Sequence, residues 1–308
     1  MSRHSRAVVP CFVAWVATTA SQTPLGAQQP PHPDVFLASL ATDSGSVRVG
    51  APRNITARPG YDNQPSFARD GRSVFYTSTR DDAQADIYRF TIASRQTARV
   101  TNTAPESEYS ASETPQGGAI SVIRVERDSA QRLWRLPLGA GEATVLFPTL
   151  KPVGYHAWAD ESRIAMFVLG SPPVLVLGDL RSQRLDSLAT NIGRSLQRIP
   201  GTTRVSFVSK TAPDAWWVIE LNVDTRATRP LVRLPAGTED YAWLTDRRLI
   251  AGVGSTLVVC DVSKSGEWKA VADFTSAGLG SISRLAVSPA GDQIAIVAIP
   301  AASPPARP

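Results

Sequence analysis

Residues 61–90 read YDNQPSFARDGRSVFYTSTRDDAQADIYRF. An Asp70-Gly71 pair separates a stretch ending on Phe67 from the β-branched and aromatic run SVFYTS, and the alternating run DIYRF closes the segment. Asp-Gly joins antiparallel strands because glycine takes positive φ without strain and aspartate bonds its own backbone. Three acids, Asp81, Asp82 and Asp86, gather around Arg80. They are either a metal or catalytic cluster, or ordinary members of a repeating structural unit.

A shift of 46 residues decides between the two. It carries Asp70-Gly71 onto Gln116-Gly117, Val74 onto Ile120 and Ile87-Tyr88-Arg89-Phe90 onto Leu133-Trp134-Arg135-Leu136, without a gap. Related turns recur at Pro200-Gly201 and at SPAGD, 288–292; Gly71 and Gly291 stand five periods of 44 apart. Units of this length, read as four short strands, predict propeller blades. Helical spacing competes only at 181–199, through Leu185, Leu188, Ile192, Leu196 and Ile199, and the repeat assigns strand there.

The two ends of the repeat region complete each other. DVFLASL, 34–40, matches the third strand DIYRFTI, and PRNIT, 52–56, matches the fourth, ARVTNT. Residues 282–298 supply a first and second strand. The halves make one blade, so five complete units and a composite predict an all-β, six-bladed ring of four-stranded antiparallel blades over 34–299. Closure through both ends leaves few free sheet edges.

The turn FARDG (67–71), the STR at 78–80, DIY (86–88) and SPAG (288–291) resemble the repeats of the TolB-like propeller family. The resemblance spans 34–299 and implies the architecture. It does not imply a TolB role in the cell envelope, because TolB carries an N-terminal α/β domain and only Gln28–Pro33 precede the first strand after the expected cleavage point. The resemblance also reaches peptidases that follow such a propeller with an α/β-hydrolase domain, which has no counterpart in this sequence.

Within this frame the opening acids become structural. Asp34 matches Asp86 while Arg132 replaces it in the second unit, where Glu126 stands at the place of Arg80. The swapped signs predict ion pairs Arg80–Asp86 and Glu126–Arg132, each worth about 0–1 kcal/mol when exposed. DDAQAD lacks the glycine and terminal glutamate of a calcium loop. No G-x-S-x-G, H-E-x-x-H or phosphate-cradling glycine motif occurs. No catalytic or metal-ligating residue is assigned, and no cofactor is expected.

One constellation remains. The segments joining successive blades hold Tyr61, Tyr109, Tyr155 and Tyr241 together with Asp62, Glu108, His156, Arg194 and Asp240. These links all lie at one end of a propeller ring, at the mouth of its channel, where aromatic faces and convergent polar groups suit peptides and sugars. The competing reading packs the tyrosines between blades and spends the acids on local backbone. Trp134, Trp158 and Trp243 are expected in the core; of the neighbours Trp216 and Trp217, strand alternation exposes one. The function read from these features is non-enzymatic binding or scaffolding of a protein, peptide or glycan. The alternative is a lyase or lactonase that would need a divalent cation in the channel.

Arg3 and Arg6, the apolar stretch 7–20 and Leu25-Gly26-Ala27 have the order of a secretory signal, with a mature chain beginning at Gln28, periplasmic or secreted. That apolar stretch contains Pro10 and is too short to span a bilayer, and no later segment is long enough. Cys11 lies in the signal without the small residues expected before a lipidated cysteine, leaving Cys260 as the single mature thiol and no internal disulfide. The 32 basic residues are scattered, with no stripe for nucleic acid. A monomer is expected, and 300–308, with AASPPARP, reads as a disordered tail.

Overall fold

The computed structural model describes residues 32–300, apart from 44, 82, 83 and 265. The stretch read as an export signal, most of the expected leader, Asp82 and residues 301–308 lie outside the described residues. The chain opens with β1 (Asp34–Thr42), β2 (Val47–Val49) and β3 (Arg53–Asn54). Blade one is β4 (Asp62–Phe67), β5 (Ser73–Ser78), β6 (Asp86–Thr91) and β7 (Gln96–Arg99). Blade two is β8 (Ser107–Glu113), β9 (Ala119–Val125), β10 (Gln131–Pro137) and β11 (Thr144–Val145). Blade three is β12 (Val153–Trp158), β13 (Arg163–Val168), β14 (Val174–Asp179) and β15 (Arg184–Thr190). Blade four is β16 (Ile192–Arg198), β17 (Val205–Ala212), β18 (Ala215–Leu221) and β19 (Thr228–Arg233). Blade five is β20 (Tyr241–Trp243), β21 (Arg248–Val253), β22 (Thr256–Asp261) and β23 (Lys269–Asp273). A 3-10 turn, Thr275–Ala277, leads to β24 (Leu279–Val287) and β25 (Gln293–Pro300).

The sixth blade has the order β24, β25, β1, then β2 and β3 at its outer edge. β1 pairs with β25 from Asp34↔Ala298 to Ser39↔Gln293, which closes the ring as the sequence expects. Two boundaries differ from expectation. The outer strand is split, β2 on Leu40–Thr42 and β3 on Phe36–Leu37, with Pro52 and its missing N–H in the gap. β25 also runs through Pro300, one residue beyond the expected end. Residues 184–198 are strands β15 and β16, in agreement with the repeat rather than with helical spacing.

The 46-residue shift survives as register. Val74↔Phe90 and Tyr76↔Tyr88 in blade one become Ile120↔Leu136 and Val122↔Trp134 in blade two. The turn glycines Gly71 and Gly291 take φ of 69° and 71°, a conformation that side-chain-bearing residues avoid.

Buried apolar residues fall into six clusters, one at each blade-to-blade interface. In β1, Phe36 and Ala38 face blade five, while Val35 and Leu37 face blade one. Both faces of each sheet are covered, so the middle strands, such as QIAIVAI in β25, read as unbroken apolar runs. Each large side chain buried this way contributes about 1.5–3 kcal/mol. The packing leaves a channel on the axis, lined by the first strand of every blade.

Candidate functional site

Each first strand starts at the face where the inter-blade links arrive, here the link face, and runs to the face of the Asp-Gly-type turns. Neighbouring residues on a strand point to opposite sides. In Tyr61-Asp62, Glu108-Tyr109, Tyr155-His156 and Asp240-Tyr241, one partner therefore reaches the axis and the other enters the wall. The first strands are also bulged, with register shifts at Asn63/Ser66, Tyr109/Ser112, Val153/Tyr155 and Ile192/Leu196. Gln64 and Ser110, one repeat apart, hold φ of 56° and 54°. Bulges of this kind re-aim side chains, here around the channel.

Six residues, one from each blade, meet at the link-face mouth: Tyr61, Tyr109, Tyr155, Arg194, Asp240 and Arg284. Arg284 Nη2 donates to the Tyr155 phenol at 2.9 Å, and its guanidinium carbon lies 4.9 Å from that ring's centre. Arg194 Nη2 bonds Asp240 at 2.5 Å, while Arg284 Nη1 stands 3.6 Å from the other Asp240 oxygen. Tyr155 packs edge-on against Phe167 at 5.8 Å. Burial pushes the Tyr61 phenol up to about 12; Arg284 and Arg194 oppose the shift, and Tyr155 and Tyr109 add to it. Burial works against the Arg194 charge, yet the bond and charge of Asp240 hold that guanidinium above its usual range.

The other four expected residues are built into the wall. Asp62 is wholly buried and paired with Arg58 at 2.8 Å. Burial pushes its carboxyl above the usual range, against the pull of Ser78 and Arg58. Glu108, also wholly buried, accepts from Arg124 Nε at 2.8 Å and from Thr103 at 2.6 Å. Tyr241 donates to Ser206 Oγ at 2.7 Å within the blade four–five core. His156 Nε2 meets Ser121 Oγ at 2.6 Å. The Ser121 hydroxyl donates to the Ser112 carbonyl and accepts from Trp158 Nε1, so His156 donates from Nε2, and its Nδ1 is buried without a partner. Burial lowers His156 to about 4, which makes it a neutral wall residue at neutral pH.

The opening acids follow the structural reading with one correction. Glu126 pairs with Arg132 at 2.5 Å as expected. Asp86 pairs instead with Arg99 at 2.5 Å and accepts from Thr101 at 2.9 Å, because β7 lies directly beside it in the sheet. Arg80 lies 5.6 Å over the Tyr88 ring, and Tyr88 donates to Asp81 at 2.6 Å. Asp34 repeats the Asp86 arrangement with Thr56 and Asn54. Trp158 and Trp243 are buried as expected, Trp134 is half-buried beneath Arg124, and Trp217 is the exposed member of its pair at 38%.

Below the mouth the channel holds a cavity of about 360 Å³ that extends past Glu113 to Arg198 at the turn face. Arg194, Asp240 and Arg284 line this cavity and also a second one on the link face, so they form the partition between the two. No group of three His, Cys, Asp or Glu side chains placed to hold a metal occurs among the described residues. Of the carboxylates lining the channel cavity, Asp240 pairs with Arg194 and Glu113 accepts the Arg69 backbone N–H at 2.8 Å, while Asp62 and Glu108 in the wall carry Arg58 and Arg124. Sequence reasoning missed Arg284. Its signal was present: Arg194, Asp240 and Arg284 follow one another at 46 and 44 residues, the repeat length, on the one link left out of the constellation.

No family model and no curated protein matches the sequence. Solved structures do match. A TolB from Agrobacterium tumefaciens superposes with a TM-score of 0.67 at 14% identity, covering 86% of this chain and 98% of its own. TolB from Acinetobacter baumannii gives 0.59 at 9% identity over 87% of this chain and 64% of its own. An oligogalacturonate lyase from Vibrio parahaemolyticus gives 0.50 at 10% identity, with 87% and 99% covered. At these identities the likeness shows the fold, a TolB-like six-bladed propeller, and no activity.

Proposed function

We propose that this TolB-like propeller is an exported, non-enzymatic binding module that captures a protein, peptide or glycan at the link-face mouth of its channel. The observation that carries the reading is the six-residue axial group. Three tyrosines on one half of the ring face an Arg-Asp-Arg set on the other, with hydrogen-bonding and charged groups gathered around aromatic faces. The lyase or lactonase alternative would draw on channel carboxylates for a divalent cation, and Asp62, Glu108 and Asp240 each already carry an arginine. The basic, apolar and small-residue order of residues 1–27 supports export, and no helix among the described residues is long and apolar enough to cross a membrane.

Glycan arrays and peptide display against the purified protein test the reading. The variant Tyr61→Ala/Tyr155→Ala is expected to lose retained ligands while unfolding cooperatively; retention unchanged by both substitutions overturns it. His156 is left intact because it belongs to the wall. Stoichiometric metal in the purified protein would favour the enzyme instead. A mature mass beginning at Gln28 tests the export step.

A further inference from the structure

Leu169, Trp217 and Val253 are the large apolar side chains exposed among the described residues, at 38–40%. All three stand on the link face. Leu169 follows β13, Val253 ends β21, and Trp217 pairs with Ser209, which in turn pairs with Ile192 at the start of β16. Singly, each would be ordinary. Together they mark blades three, four and five beside the partition that closes the channel.

Where blades four, five and six meet, the link face holds a groove of about 280 Å³. Trp216 and Val253 form its apolar wall, and its inner end reaches Arg194, Asp240 and Arg284. The groove is held in shape. Thr238 donates to the Gly252 carbonyl at 3.0 Å, tying the link to the end of β21. Lys210 Nζ lies 4.0 Å from the centre of the Trp216 ring and 2.9 Å from Glu239. The charges at the inner end do not balance. Glu239 is occupied by Lys210 and the Arg194 backbone N–H, which leaves Asp240 to serve both Arg194 and Arg284. Arg284 holds Asp240 only at 3.6 Å. An apolar wall therefore leads to a surplus positive charge.

Taking the link-face mouth as the binding end, we propose that this groove anchors an extended peptide segment of a partner protein in which an acidic side chain lies next to an aliphatic or aromatic one. The apolar side chain lies against Trp216 and Val253. The carboxylate completes the coordination of Arg284 and Arg194, where a charge-assisted bond adds specificity as well as affinity. A neutral glycan would leave the surplus charge unanswered.

Selection of a random dodecapeptide display library on the immobilised protein tests the proposal. Selected peptides are expected to share an acid adjacent to an apolar residue. A synthetic peptide of that sequence should bind at least tenfold more weakly after acid-to-amide exchange, after Arg284→Gln, and after Val253→Glu. Val253 is the exposed last residue of β21, paired with Thr256 across the hairpin end, so Val253→Glu is expected to keep the wild-type unfolding midpoint, and loss of binding then reports the groove. Selected peptides without acids, or peptides indifferent to Val253→Glu yet lost with Tyr61→Ala/Tyr155→Ala, overturn the groove and leave the mouth reading standing. An absence of enriched peptides also overturns the groove, and the mouth reading then depends on the glycan array.

Discussion

Arg284 and Tyr155 come from blades six and three, opposite each other in the ring, and their 2.9 Å hydrogen bond crosses the channel axis. Few contacts in a propeller join blades that are not neighbours, since each blade packs its two faces on the next and the previous one. This bond ties the two halves of the mouth together, and the ring above it belongs to a half-buried tyrosine.

Removing the phenol tests that tie. Tyr155→Phe is expected to cost about 1 kcal/mol, the usual net value of a hydrogen bond, and to lower the melting temperature by about 2–4 °C. Combined with Arg284→Gln in a double-mutant cycle, it should show a coupling of about 0.5–1.5 kcal/mol. Strict additivity would mean that the bond contributes nothing in solution.

The serine clamps form a second test. Ser121 holds His156 and Trp158; shifted by 85 residues, Ser206 holds Tyr241 and Trp243, with both indole Nε1–Ser distances at 2.8 Å. Ser206→Ala leaves a phenol and an indole buried without acceptors, at a cost of about 2–4 kcal/mol by urea denaturation. Ser121→Ala should cost a comparable amount. A loss below about 0.5 kcal/mol for both would show that water replaces the hydroxyls.

Acid sensitivity follows from His156. Its folded pKa of about 4 lies below the ordinary 6.5, so the unfolded chain binds the proton first. Stability from this residue is complete above pH 6.5 and is lost as pH falls towards 4, by up to about 3 kcal/mol. His156→Gln should flatten the difference in urea midpoint between pH 7 and pH 4.5 relative to wild type; an unchanged difference would place the titration elsewhere.

Cys260 should be silent. It is 1% exposed, and burial, with the Asp261 charge behind it, pushes its thiol up to about 11. In the chain beginning at Gln28, a chromogenic disulfide reagent at pH 8 should find no fast thiol until denaturant is added. Rapid labelling in buffer would mean that the edge of blade five opens readily.

The architecture was legible because a propeller repeats its hydrogen bonding along with its residues. Asp70-Gly71, SVFYTS and DIYRF each specify a local conformation, and the 46-residue shift carried the strand register as well as the composition. The site was legible in position but not in orientation. The links gave both members of Tyr155-His156 and Asp240-Tyr241, and alternation along a strand guarantees that only one of each pair can reach the axis. Which one depends on the bulges in the first strands, and those arise from non-glycine residues such as Gln64 and Ser110, which carry no turn signature. Arg80 and Asp86 failed as a pair for a similar reason. Sign exchange along the sequence marks proximity, but Arg99 on the adjacent strand competes for the same carboxylate and stands closer.

The register Asp34↔Ala298 through Ser39↔Gln293 also sets the order of events during biosynthesis. While the ribosome is still short of residue 293, β1 has no inner neighbour and the ring stays open, however well its middle sectors have condensed. Completion therefore waits for residues 293–298 to emerge. A premature stop before Gln293 would release a chain whose first strand offers itself to other molecules, which makes truncated translation products of this protein prone to association.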